Sequence, residues 1–349
     1  MKHFFLFFLT FCSLCLPPAV AAKPEGAVRI MAVGDMMFGT NYPSAAYLPA
    51  NEGKSLLHDT AAILRSADLT VGNLEGTILN KGGQVKRCSD PKKCYAFRMP
   101  VAYAQHNLKN GGFDAVSIAN NHVGDFGQSG RSSTIANLKA MGIQAAGQLS
   151  KPTAVFTKNG VRYGFAAFAP NVGTVDLRNI KKAKQIVTQL AKQSDVVIVS
   201  FHGGAEGRKY EHVTRKTEKF YGENRGNVYQ FAHAVIDAGA DLVFGHGPHV
   251  TRALELYKGR LIAYSLGNFC TYGRFNLRGI NGIAPILQVD VDAQGQFMQG
   301  KVISTRQNKA NGVYLDANAK VLKRIQQLTL TDFPKTPLKI LNNGKIIKK

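Results

Sequence analysis

The chain has 349 residues, 45% of them hydrophobic and 19% charged, enough to bury a core without help from a structural metal or disulfide. Its formal charge of +22 suits anionic counterparts such as acidic polymers, lipid head groups or phosphorylated glycans, and also suits plain solubility. Tryptophan is absent and no repeated basic-aromatic signature accompanies the charge, so nucleic acid is not an expected partner.

Residues 1–22 read as a secretory signal peptide. Lys2 and His3 precede the apolar run 4–16, and Pro17-Pro18 leads to the small residues Ala19, Ala21 and Ala22. The run is short for a membrane span, which leaves an uncleaved anchor as the alternative. Neither Cys12 nor Cys15 follows a small residue, against a lipoprotein. Cys88 and Cys94 bracket a polar loop and could close a ring in an oxidising compartment, a reduced pair being the other reading. Cys270 reads as a buried thiol.

Strand-like and helix-like segments then alternate. The pattern predicts a strand over 28–33, a helix over 56–64, strands over 69–71 and 115–118, and helices over 101–108 and 132–141. A hairpin is expected over 153–168 around Asn159-Gly160, followed by a basic helix over 180–193 and a strand over 195–200. A helix over 228–238 precedes the strand 241–244, a hairpin turning at Lys258-Gly259, and a last pair, 284–291 and 297–304. Crossovers followed by late hairpins predict an α/β fold with two sheets packed between helices. The expected division is leader 1–22, domain 23–307 and a basic C-terminal extension 308–349 with one short helix over 321–328.

Five polar segments stand at the ends of apolar runs: Gly34-Asp35, Asn73-Leu74-Glu75, Asn120-Asn121-His122, Phe201-His202-Gly203 and Gly245-His246-Gly247-Pro248-His249. Ligands in open α/β sheets bind beyond the carboxyl ends of the strands, so these segments are expected to converge. Carboxylate, amide oxygen and imidazole are hard-to-borderline metal ligands. A metal pair needs an anionic bridge, for which Glu75 is the candidate, and a terminal carboxylate, for which Asp35 is the candidate. Asn121, His202, His246 and His249 complete the shells, and His122 is left to protonate a leaving group. Asp125 either orients His122 or caps the following helix. Glu206, Arg208 and Asn268 are candidate substrate contacts. A single histidine at a strand end is more often structural than ligating; the joint occurrence carries the reading.

These segments, with His202-Gly203-Gly204-Ala205-Glu206 and Tyr264-Ser265-Leu266-Gly267-Asn268-Phe269, resemble the signature blocks of CapA-type capsule synthesis proteins, within the metallo-dependent phosphatase (calcineurin-like) superfamily. The resemblance runs from about Val28 to Val289. It implies a four-layer α/β/β/α sandwich with one or two divalent metal ions (Mn, Fe, Zn or Mg) at the strand ends. It also implies synthesis or processing of an acidic capsule polymer such as poly-gamma-glutamate, in the periplasm or cell envelope and with a membrane-associated capsule synthesis complex. A periplasmic phosphoesterase and a noncatalytic polyanion-binding accessory are the alternatives. Two departures stand out. Met37 occupies the position where the superfamily usually has a histidine, and the closing motif has two residues between its histidines rather than one.

Overall fold

The computed structural model describes residues 22–88 and 94–349; the expected leader, save Ala22, lies outside the described residues. Two mixed sheets face each other. The larger runs, in spatial order, through the strands Leu338–Ile340, Lys345–Lys348, Phe297–Asn308, Ile283–Val291, Val28–Met37, Leu69–Leu74, Ala115–Ser117 and Gln144–Ala146, with Asn268–Thr271 and Gly312–Leu315 as branches. The smaller runs through Leu254–Tyr257, Arg260–Ala263, Leu242–His246, Val196–His202, Val161–Phe168 and Thr153–Lys158.

Alternation along the strands produces the layers. In the strand Val28–Met37, Ile30 and Ala32 enter the core between the sheets, together with Val71, Phe165, Ile198 and Phe244. Their neighbours Met31 and Val33 point the other way, into a second core with Leu64, Ala104, Leu108 and Leu138 from the helices on that side. On the far face Val197, Val199 and Val243 pack against Val187, Leu190, Phe231 and Val235 of the helices Ile180–Ala191 and Val228–Asp237. Strands buried on both faces explain the continuous apolar runs in the sequence. The architecture is therefore a four-layer α/β/β/α sandwich.

Most predicted elements form close to their expected limits, including the two hairpins, whose turn residues Asn159-Gly160 and Lys258-Gly259 all take positive φ. The helix expected over 56–64 is reduced to Ala61–Arg65. Leu56 is instead engaged by the strand Gly312–Leu315, whose Val313 N–H donates to the Leu56 carbonyl at 2.8 Å. Residues beyond 307 belong to the sandwich: Ile346 is fully buried in the larger sheet, and Val321, Leu322 and Ile325 of the helix Lys320–Asp332 enter the inter-sheet core. The Cys88–Cys94 disulfide is formed, with Cα atoms 5.6 Å apart, and Cys270 is a buried free thiol.

Candidate metal centre

Register brings the site together. In the larger sheet Asp35 lies beside Asn73 on one neighbour and Asn268 on the other, and Asn73 lies beside Ser117. In the smaller sheet His202 and His246 are direct partners on parallel strands. Gly34 allows the close approach this requires, because a Cβ there would sit 1.9 Å from the Gly267 carbonyl oxygen. The carboxyl ends of both sheets thus open onto one buried cluster.

Glu75 is at its centre, fully buried. Its Oε1 is 3.7 Å from His249 Nε2, 3.9 Å from His122 Nε2 and 4.0 Å from His202 Nε2. Asp35 accepts a hydrogen bond from Asn73 Nδ2 (2.8 Å) and faces His249 Nδ1 at 3.0 Å and His246 Nδ1 at 3.5 Å. Asn268 Oδ1 lies 3.2 Å from the same His249 nitrogen. Asn120 is spent on structure, donating to Asn73 Oδ1 and the Leu74 carbonyl and accepting from the His122 N–H. The side-chain oxygen of Asn121 is buried without a hydrogen-bond partner.

Asp35, Glu75 and His249 each offer a ligand atom, and these lie within 4.8 Å of one another. Both Glu75 oxygens, both His202 ring nitrogens and His246 Nδ1 also lack hydrogen-bond partners. Buried polar atoms left unpaired in one place are costly, and a bound divalent cation would satisfy the Glu75 oxygens and one nitrogen of each imidazole. The donor set fits such an ion. Met37 takes no part: it is packed in the outer core, its sulfur accepting from the Gly39 N–H.

Electrostatics leave His202 and Asp35 in ligating form, whereas Glu75 and His249 hold protons that a metal would displace. Burial, reinforced by the nearby Arg225, holds the His202 imidazole well below its usual range, so it is neutral. Burial works against ionised Asp35 but is outweighed by His246 and His249, which keep its carboxyl low. Burial disfavours a charged His249, yet Glu75, Asp35 and Glu206 raise it to about 10 in the absence of metal. Burial, helped by the neighbouring Asp35 and Glu206, pushes Glu75 well above the ordinary carboxylate range against the opposing pull of His249.

Around this cluster, His122 Nδ1 is 2.8 Å from Asp125 Oδ2, which turns Nε2 toward Glu75. Asp125 lies two residues ahead of the helix Gly127–Ala140. Glu206 bridges outward, with Oε2 3.9 Å from His249 Nε2 and Oε1 3.1 Å from Arg225 Nη2. Arg225, on the small hairpin Glu218–Phe220 and Glu223–Gly226, also donates to the Gly204 carbonyl. Arg208 stands exposed on the short 3₁₀ turn Arg208–Tyr210, and among the described residues no hydrogen bond or ion pair joins it to the cluster. Phe97 and Phe275 stack 5.0 Å apart, Phe97 against His122 (4.3 Å) and Phe275 edge-on to His249 (5.9 Å). Sequence reasoning missed this aromatic wall and Lys86, whose Nζ lies 2.6 Å from Asp125 Oδ1, since neither periodicity nor a motif marks them; the cysteine pair between the Glu75 and His122 blocks is the one pointer to that segment.

The loop carrying Ala205 and Glu206 is fixed by a buried ion pair. Arg252 meets Glu218 at 2.9 and 2.7 Å, Glu218 accepts from the Ala205 N–H, and Arg252 donates to the Ala205 carbonyl. Arg252→Ala would leave Glu218 buried and unpaired, and denaturant unfolding should show a loss of about 3–5 kcal/mol. Arg252→Lys should recover only part of it, because an ammonium cannot reproduce the bidentate contact.

Fold and cluster together define a four-layer α/β/β/α sandwich whose strand ends converge on buried carboxylates and imidazoles. The profile of the bacterial capsule synthesis protein PGA_cap family matches residues 29–272, and the chain belongs to that family. It is 26% identical over 275 residues to the PGA biosynthesis protein CapA of Bacillus subtilis (strain 168), covering 72% of this chain and 65% of that protein. To the capsule biosynthesis protein CapA of Bacillus anthracis it is 26% identical over 259 residues, covering 68% of this chain and 58% of the other. The chain thus spans less than two thirds of the length of these relatives. Among solved structures, the 5'-nucleotidase precursor of Thermus thermophilus aligns with 86% of this chain and 58% of its own, at 14% identity and a TM-score of 0.42. No helix among the described residues is long and apolar enough to cross a membrane.

Proposed function

We propose that this protein is an exported, metal-dependent hydrolase or transferase of the cell envelope that acts on an acidic capsule polymer such as poly-gamma-glutamate. One observation carries the metal-dependent part: Glu75, fully buried, has neither oxygen hydrogen-bonded while three imidazole nitrogens approach it within 4.0 Å. Capsule biosynthesis relatives and the +22 charge support the polymer and the envelope location.

Asp35, Glu75, Asn121, His202, His246 and His249 would hold the metal. A bound divalent ion supplies a water of lowered pKa and polarises the scissile group. The protein's own part is orientation and proton transfer. Asp125 accepts from His122 Nδ1–H, fixing the ring so that Nε2, once protonated against the burial that disfavours it, can give that proton to the leaving atom. The stacked Phe97–Phe275 pair packs on that side of the centre.

Metal analysis of the purified protein tests the assignment. The wild type should carry a divalent transition metal, and Asp35→Ala, His202→Ala and His246→Ala should each lower its content at least about tenfold. Unchanged content in all three would sink the site. Incubation with gamma-glutamyl oligomers and with an aryl phosphodiester then separates the substrate classes; turnover of the phosphodiester alone would favour the phosphoesterase reading.

A further inference from the structure

Asp125 is held from two directions by a single segment of chain. Its Oδ2, besides meeting His122 Nδ1, accepts from the Phe97 N–H at 2.7 Å. Its Oδ1 is 2.6 Å from Lys86 Nζ, and its carbonyl accepts from the Lys86 N–H at 2.9 Å. Lys86 and Phe97 stand on opposite sides of the Cys88–Cys94 disulfide, which closes the segment between them. The Phe97 ring completes the contact by packing on the imidazole.

This is more than a structural carboxylate needs. Asp125 is fully buried, so both of its oxygens need partners. Ammonium on Oδ1 and amide on Oδ2 leave one orientation, which presents Oδ2 to His122 Nδ1. An imidazole so held has its proton on Nδ1 when neutral and keeps Nε2 toward Glu75. The disulfide limits how far the two arms can separate.

We propose that Lys86 is a positioning residue for His122, acting through Asp125, and that the Cys88–Cys94 disulfide holds the clasp of which Lys86 and Phe97 are the arms. The proposal rests on reading His122 as the proton donor of the metal centre. It makes the geometry of that donor sensitive to the redox state of a bond outside the centre.

The test uses full-length protein labelled with ¹⁵N-histidine, stripped of metal, at one fixed pH. Long-range ¹H–¹⁵N spectra of the wild type should show His122 as a single Nδ1–H tautomer. Lys86→Met should average the two tautomers and speed amide exchange over residues 119–126 by about tenfold, while Lys86→Arg keeps the wild-type pattern. Reducing the disulfide in the folded wild type should produce the same direction of change without any substitution. If Lys86→Met does not fold, the reduced wild type decides. Wild-type tautomer and exchange rates in folded Lys86→Met, or in the reduced protein, would overturn the proposal. These spectra need no turnover, so a protein that hydrolyses nothing would end the hydrolase reading and leave this result standing.

Discussion

Glu75→Gln should empty the metal centre and, in the metal-free state, make the protein more stable. The carboxylate is fully buried with no hydrogen bond to either oxygen, an arrangement that costs stability unless a cation sits there. The amide is neutral in the unfolded chain as well, so burying it takes up no proton at neutral pH, and it cannot bridge metal ions. Metal content should fall at least about tenfold, while the EDTA-treated variant gains on the order of 1–3 kcal/mol over EDTA-treated wild type near neutral pH. The sign with pH follows from the raised carboxyl. Metal-free folded protein keeps a proton on Glu75 that the unfolded chain loses near its ordinary value of 4.5, so wild-type stability falls as pH rises above that value. The advantage of Glu75→Gln should therefore be small at pH 4 and larger at pH 7, as thermal melts at the two pH values will show. A variant that keeps its metal, or melts lower than the metal-free wild type at neutral pH, removes Glu75 from the centre.

His122→Ala should leave the metal in place and cost about 10²–10⁴-fold in kcat on a substrate with a poor leaving group. The reason is positional: Nε2 faces the centre, but Nδ1 is committed to Asp125, so the ring is oriented for proton transfer and not for ligation from both nitrogens. A substrate whose leaving group is already a weak base needs little protonation, and its turnover should drop far less. That difference separates a lost acid from a damaged site. Asp125→Asn should show the same leaving-group dependence at smaller amplitude, since the ring stays but its orienting charge is gone. Equal losses on both substrates, or a loss of metal, would assign His122 a different part.

The fold was legible because its signals are local. Strands buried on both faces write themselves as apolar runs, and Asn159-Gly160 and Lys258-Gly259 mark hairpins by backbone conformation alone. The helix expected over 56–64 failed for a non-local reason, the pairing of Leu56 with Val313 more than 250 residues along the chain. The short strands Asn268–Thr271 and Lys345–Lys348 escaped notice similarly, being held by partners rather than by their own pattern. Around the centre, the sequence favours Asn121 over Asn120 because it adjoins His122. The structure spends Asn120 on Asn73 and Leu74 and leaves the oxygen of Asn121 unpartnered.

By itself, then, the sequence determined the layered α/β fold, the kinship with capsule synthesis proteins and a set of candidate metal ligands, because each is written in short motifs at strand ends. Only the tertiary structure decided how those side chains share the work. Asp35 is tied to Asn73, His249 lies between two carboxylates, and His122 is gripped through Asp125 by Lys86 and Phe97. Those relations depend on distances between segments far apart in the chain, and strand register and loop crossing set them where no local propensity can.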